Sequence, residues 1–304
     1  MADRSPAALE ASLRYSGFRG GIRVEEPLSV HTTWRIGGPA DLMAEPASRE
    51  DVRIAIRWAA DRGVPWRILG NGSNLLVRDE GVRGLVIRIR RVLDAVSVDG
   101  NRVEAGAGAS LPAVSKLCAS RGLRGLEFGA GIPGTVGGAV VMNAGWHEFE
   151  IGNAVRSVEF LGPDGRSRNF DHDECGFGYR SSAFRGRPGV VLGVVLELLV
   201  SDRREVESRL DAFASARKKN QPTDLPSCGS VFLKPEGDFA GRLIEEAGLK
   251  GTRVGGVEVS RKHANFFVNV GNATCADVLA LVALVEREVE SRFKVKLHRE
   301  FELW

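Results

Sequence analysis

Apolar positions recur along this chain with two different periods, and the places where the period changes outline its elements. Across residues 48–62, Val52, Ala55, Ile56 and Ala59 fall at helical spacing. Ser48 with Asp51 predicts a capping box at the start of that helix, and Gly63 predicts its stop. Residues 66–69 and 85–89 are short apolar runs that read as strands. Residues 95–98 and 102–105 flank Asp99-Gly100-Asn101, and residues 155–161 and 166–170 flank Gly162-Pro163-Asp164-Gly165, so each set predicts a hairpin. Residues 110–121 predict a helix stopped by Gly122. The longest apolar stretch, residues 190–200, is broken by Gly193 and Glu197; it is too short to cross a bilayer and reads as a buried strand.

The pattern changes after Val200. Residues 202–220 form a long amphipathic helical pattern with Val206, Leu210 and Phe213 at helical spacing, ended by Gln221-Pro222 and Leu225-Pro226. A strand over 230–233, a helix over 237–247, a strand over 265–270 and a helix over 274–293 follow. The last is marked by a Thr274/Asp277 capping box and a face of Val278, Leu281, Val282, Val285 and Val289. Mixed strands and helices imply an α+β class, with a natural cut near 201–205.

Length and composition narrow the function. A chain of 304 residues that is 43% hydrophobic can bury more than one core. Cys118, Cys175, Cys228 and Cys275 are far apart, so neither a disulfide framework nor a zinc site is expected, and a reducing compartment fits. The start MADRSPAALE lacks the apolar core of a signal peptide, so a soluble cytoplasmic protein with no membrane partner is expected. The charge of +3 includes no run of five like charges, so no nucleic-acid partner is expected. Asp171-His172-Asp173-Glu174 are consecutive and cannot converge on one ion; they read as a solvated turn, and no metal is expected.

Glycine changes the picture most. There are 37 in 304 residues, roughly 12%, against about 7% in an average protein. Gly70-Asn71-Gly72-Ser73-Asn74-Leu75 follows a strand and suits either a phosphate cradle or a tight surface turn. Gly129-Ala130-Gly131-Ile132-Pro133-Gly134 matches the dinucleotide pattern G-x-G-x-x-G. Pro133 stands where a helix should begin to donate, Gly137-Gly138 follow, and no βαβ unit surrounds the segment, so a Rossmann reading is rejected. The segment is expected to continue as a loop, a ribbon of open N–H groups from Gly129 through Gly138 to Asn143-Ala144-Gly145 that could follow a diphosphate. No P-loop and no G-x-S-x-G elbow occurs.

Taken in order, several segments resemble the UDP-N-acetylenolpyruvoylglucosamine reductases. They are His31-Thr32-Thr33-Trp34-Arg35-Ile36-Gly37-Gly38, Gly70-Asn71-Gly72-Ser73-Asn74, and Gly131-Ile132-Pro133-Gly134-Thr135-Val136-Gly137-Gly138. Phe177-Gly178-Tyr179-Arg180-Ser181-Ser182-Ala183-Phe184, Pro226-Ser227-Cys228-Gly229-Ser230-Val231-Phe232, His263-Ala264-Asn265-Phe266-Phe267-Val268-Asn269 and Glu300 complete the set. The resemblance implies a bipartite FAD-binding domain of the vanillyl-alcohol-oxidase type, with lobes 1–90 and 91–203, and a smaller α+β substrate-binding domain over 204–304 whose last residues return to the active site. It implies flavin contacts from Arg35, Ile36 and Gly37, from Gly70, Asn71, Gly72, Ser73, Asn74 and Leu75, from Ala130, Gly131, Ile132, Pro133 and Gly134, and from Gly137, Gly138, Asn143 and Gly145.

The implied reaction is reduction by NADPH, through FAD, of the enolpyruvyl double bond of UDP-N-acetylglucosamine enolpyruvate, in peptidoglycan precursor synthesis. Arg180 is the expected charge stabiliser, Glu300 shares that task, and Ser230 is the proton donor. Tyr179, Arg217, Asn220, Gln221, Lys234 and Asn265 are the expected substrate contacts. The only tyrosines are Tyr15 and Tyr179, so this resembles the short form without the family's tyrosine loop. Leu233-Lys234-Pro235 departs from the usual Lys-Asn-Pro, and His298 stands where the family often has an acid. A monomer is expected. Another FAD oxidase of the same fold and a non-catalytic nucleotide-sugar-binding module stay as alternatives.

Overall fold

A computed structural model describes residues 5–304. The chain divides into two units, each assembled from separate stretches. One takes residues up to 25, 41–71 and 83–216; the other takes 26–40, 72–82 and 217–304. Each unit has its own hydrophobic core.

The first unit carries two sheets. One runs in the order Gly21–Pro27, Pro39–Glu45, Val82–Arg88, Trp66–Leu69, and its last pair is parallel with Trp66 opposite Leu85. The helix Arg49–Asp61 supplies Val52, Ala55, Ile56, Trp58 and Ala59 to the core. Only half of its expected capping box forms. The Ser48 hydroxyl accepts from the Asp51 N–H, but the Asp51 carboxylate accepts from Ala47 and Arg19 N–H groups.

The second sheet is antiparallel throughout, in the order Ser167–Asp171, Val155–Leu161, Val190–Glu197, Arg102–Gly106, Val96–Asp99. Both hairpins form. Gly100 and Gly165 hold positive φ in their turns, which explains why glycine stands there. Alternation places Val158 and Phe160 in the core, and Val155 joins them across a register shift between 155 and 157. Asp171-His172-Asp173-Glu174 is a turn in which the carboxylates of Asp171 and Glu174 accept each other's backbone N–H.

In the second unit, a three-stranded antiparallel sheet (Arg253–Val254, Val257–Val259, Phe267–Asn269) shares its core with the helix Cys275–Phe293. The Thr274/Asp277 capping box is complete. The chain end returns to residues 72–76, where Glu302–Leu303 pairs in parallel with Leu75–Leu76. The long helix Arg203–Asn220 agrees with its pattern. The cut between units, however, falls at 216/217 rather than near 204, and residues 26–40 and 72–82 belong with the C-terminal part. The reason is packing: Trp34, Ile36 and Leu76 are buried in the second core. The expected strand over 230–233 reduces to single bridges, Ser230 with Phe266 and Phe232 with Arg299.

Candidate active site

In the first unit, Arg180 sits in a tight turn closed by reciprocal Gly178–Ser181 backbone hydrogen bonds of 3.1 and 3.0 Å. Its φ is +50°, a left-handed value that costs a non-glycine residue on the order of 1 kcal/mol. Surrounding bonds hold the turn. The Arg180 Nη2 donates to Gly145 O at 2.9 Å and Nη1 to Asn143 O at 3.4 Å, and Glu150 lies 3.5 Å from Nη1. Tyr179 is exposed, with the guanidinium over its ring at 5.1 Å. Asn143 is buried, and its amide is committed: Nδ2 donates to Glu150 and Gly178 O, while Oδ1 accepts from Gly152 N–H.

The ribbon of open amides expected over 129–145 is not there. Gly129, Ile132 and Gly134 donate to Leu126, Gly129 and Ile132, and Gly137 donates to Ala107 O. The stretch expected to continue as loop folds into the helix Val136–Val141, capped by Thr135, whose hydroxyl accepts from Gly138 N–H. Glycine is required at 137 because a Cβ there would lie 2.7 Å from Ala107 Cβ. Asn71 Nδ2 donates to Pro133 O at 2.6 Å and so ties two of the glycine-rich segments together.

In the second unit the first motif locks onto the other half of its glycine loop. Thr33 N–H donates to Gly72 O, and Gly72 has a φ of +60° and a backbone position where an added Cβ would clash with His31 O. The N–H groups of Gly72, Ser73 and Asn74 donate to no described acceptor. Open amides on small residues are what a phosphate cradle needs. Arg35 is exposed, whereas the Ile36 side chain is core and its backbone closes on the Thr32 hydroxyl. Gly37 faces Val77, and the buried Leu75 belongs to the parallel pair.

Ser230 is half-buried, and its neighbours are fixed on two sides. Val231 N–H donates to Asn265 O, and Glu300 N–H donates to Val231 O, each at 2.8 Å. Asn265, expected to meet substrate, also uses its amide inside the protein: Oδ1 accepts from Phe232 N–H at 3.0 Å and Nδ2 donates to Phe232 O at 2.8 Å. Glu300 O accepts from Asn74 Nδ2, so the carboxylate-bearing residue is tied to the loop over residues 72–74. Burial, with the charge of Glu300 adding to it, pushes the Cys228 thiol well above its usual range. Glu302 is placed differently, donating its N–H to Asn74 O.

Arg217 is half-buried, and burial alone pushes its guanidinium down to about 10. Asn220 is exposed and Gln221 buried. Lys234 stacks its ammonium 4.5 Å from the ring centre of the exposed Phe239.

A family model described as the UDP-N-acetylenolpyruvoylglucosamine reductase C-terminal domain matches residues 221–304, and an FAD binding domain model matches 40–171. UDP-N-acetylenolpyruvoylglucosamine reductase 2 of Symbiobacterium thermophilum is 47% identical over 285 residues, spanning 94% of this chain and 92% of that protein. The reductase of Moorella thermoacetica is also 47% identical, spanning 95% of each chain. This chain belongs to the UDP-N-acetylenolpyruvoylglucosamine reductase family. The crystal structure of the Thermus caldophilus reductase superposes with a TM-score of 0.80 at 40% identity, covering 94% of this chain and 99% of that one. The shared fold is thus that of the reductase over nearly its full length.

Within this family frame, three residues gain roles that spacing did not suggest. Thr135 caps the short glycine-bearing helix; a threonine just before an apolar run is a signal that could have revealed it. Asp79 accepts from Cys275 and Ala276 N–H groups at the start of the last helix. Glu150 bridges Arg180 and Asn143. The last two join residues with no shared pattern in the sequence.

Proposed function

We propose that the chain is an NADPH-dependent, FAD-containing reductase that converts UDP-N-acetylglucosamine enolpyruvate to UDP-N-acetylmuramate in peptidoglycan precursor synthesis. The observation that carries this reading is the second unit's arrangement, in which the Ser230 segment is hydrogen-bonded to Glu300 and Glu300 to the Asn74 loop. The open amides of Gly72, Ser73 and Asn74 fit the phosphate groups of FAD. The bound flavin supplies a hydride taken from NADPH.

The chain's own residues serve the substrate. Hydride arrives at the terminal enolpyruvyl carbon, and the carbon bearing the carboxylate must take a proton. Charge accumulates meanwhile on the carboxylate oxygens as an enediolate-like dianion. Arg180 donates hydrogen bonds to those oxygens, and they strengthen as charge builds. Glu300 is assigned to the same task; it serves growing negative charge only when it holds or shares a proton, since an ionised carboxylate would repel it. The Ser230 hydroxyl gives its proton to the carbon.

Arg217 supports a diphosphate role because an arginine whose charge is disfavoured by burial gains most from an anion. Asn220, Gln221 and Lys234 complete the polar set, and Tyr179 borders Arg180. Residues 130–134 and 137–138 line the flavin mainly through shape, since most of their amides are spent internally. A cytoplasmic monomer is part of the same proposal, and four buried free thiols suit a reducing compartment.

The test is steady-state NADPH oxidation by the yellow protein under anaerobic conditions. Oxidation that depends on the enolpyruvyl substrate and yields UDP-N-acetylmuramate supports the reading. NADPH oxidation that needs only oxygen identifies an oxidase, and a protein that binds neither flavin nor NADPH is a binding module.

A further inference from the structure

Arg180 does not stand alone in its turn. The short antiparallel pair Gly145–Trp146 and Phe149–Glu150 sets Glu150 opposite Gly145. The guanidinium therefore meets a carbonyl of one strand and a carboxylate of the other, at 2.9 and 3.5 Å. The second Glu150 oxygen accepts from Asn143 Nδ2 at 2.7 Å, so the carboxylate is itself aimed. Both side chains are mostly buried, 17% exposed for Arg180 and 24% for Glu150, which leaves the pair only partly screened.

We propose that Glu150 is a positioning residue and resident counter-ion of Arg180: it directs the guanidinium and competes with the substrate's carboxylate for it. The proposal rests on Arg180 meeting that carboxylate. A negative charge beside an anion-binding guanidinium lowers ground-state affinity for the incoming carboxylate. It also keeps the donors aligned for the moment when charge on that carboxylate grows. Glu150 thus trades substrate affinity for alignment.

Binding of two nucleotide sugars tests this on the holoenzyme. UDP-N-acetylmuramate carries the carboxylate, and UDP-N-acetylglucosamine does not. Glu150→Gln keeps an oxygen for Asn143 but removes the charge. We expect it to tighten UDP-N-acetylmuramate binding about tenfold at low salt, as expected for removing one like charge a few ångströms away in a half-buried site. UDP-N-acetylglucosamine binding should change less than about twofold. In turnover, KM and kcat should both fall, the mark of ground-state affinity gained and alignment lost. Glu150→Asp retains the charge and should keep the wild-type ratio of the two affinities. Equal changes for both ligands, or none, overturn the proposal. Arg180→Ala separates the two layers. If it leaves the carboxylate ligand's preference intact, the reading of Arg180 itself fails. If it abolishes that preference while Glu150→Gln changes nothing, only the role of Glu150 fails.

Discussion

Asn265→Ala should loosen the segment that carries Ser230, and the amount can be worked from four atoms. The Asn265 side chain forms two hydrogen bonds with one buried peptide, the N–H and C=O of Phe232, at 3.0 and 2.8 Å. Phe232 is 1% exposed and Asn265 is 7% exposed, so water does not replace those bonds without opening the structure. Each lost bond is worth about 1 kcal/mol, and each polar group left buried without a partner adds a further penalty of about 1 kcal/mol or more. Partial relaxation offsets some of this, so a local loss of roughly 3 kcal/mol is expected.

The Phe232 amide is its own reporter. Hydrogen exchange read on a peptide spanning 228–234 should accelerate about a hundredfold, since every 1.4 kcal/mol is a factor of ten. Asn265→Asp keeps an acceptor for Phe232 N–H but sets a carboxylate against Phe232 O, and it should accelerate exchange as well. Acceleration of less than about threefold in Asn265→Ala would refute the reasoning.

Asp79→Ala removes two acceptors from the start of the helix Cys275–Phe293 and should cost about 1 kcal/mol, read as a fall of a few degrees in Tm. His263 is held below its usual range, first by burial and then by the nearby Lys250 charge, and its Nδ1 accepts from Asn265 N–H. The unfolded chain therefore binds this proton more readily than the folded one, and stability is lost as pH falls below about 6.5 toward the folded value. Urea midpoints of wild type and His263→Gln between pH 7.5 and 5 should converge toward the acid end; parallel curves would contradict this. Thr135→Ala should lower stability by about 1 kcal/mol through loss of the cap.

Local signals in the chain were readable, and distant ones were not. Thr274 and Asp277 lie three positions apart, and their reciprocal cap is present as read. Both hairpins announced themselves through glycine-bearing turns. The glycine-rich segment misled because an amide that looks open in sequence can be claimed by a residue elsewhere; Gly137 N–H goes to Ala107 O, and its missing side chain makes room for Ala107. The Ser230 segment read as a strand, yet a side chain, Asn265, does much of the pairing a neighbouring strand would do. Asp79 and Cys275 are 196 positions apart, and no periodicity links them. The boundary near 204 followed a real change of pattern, but Trp34 and Leu76 reach the second core from far upstream.

The central claim is that Ser230 delivers the proton in a flavin-dependent reduction of an enolpyruvyl group. Rapid mixing of NADPH with the holoenzyme, then with enolpyruvyl substrate in the absence of oxygen, separates the two half-reactions. The account predicts that the wild type bleaches with NADPH and regains its colour with substrate. Ser230→Ala should bleach at the wild-type rate but recover at least about a hundredfold more slowly. Recovery at the wild-type rate in Ser230→Ala, or equal slowing of both phases, would contradict it.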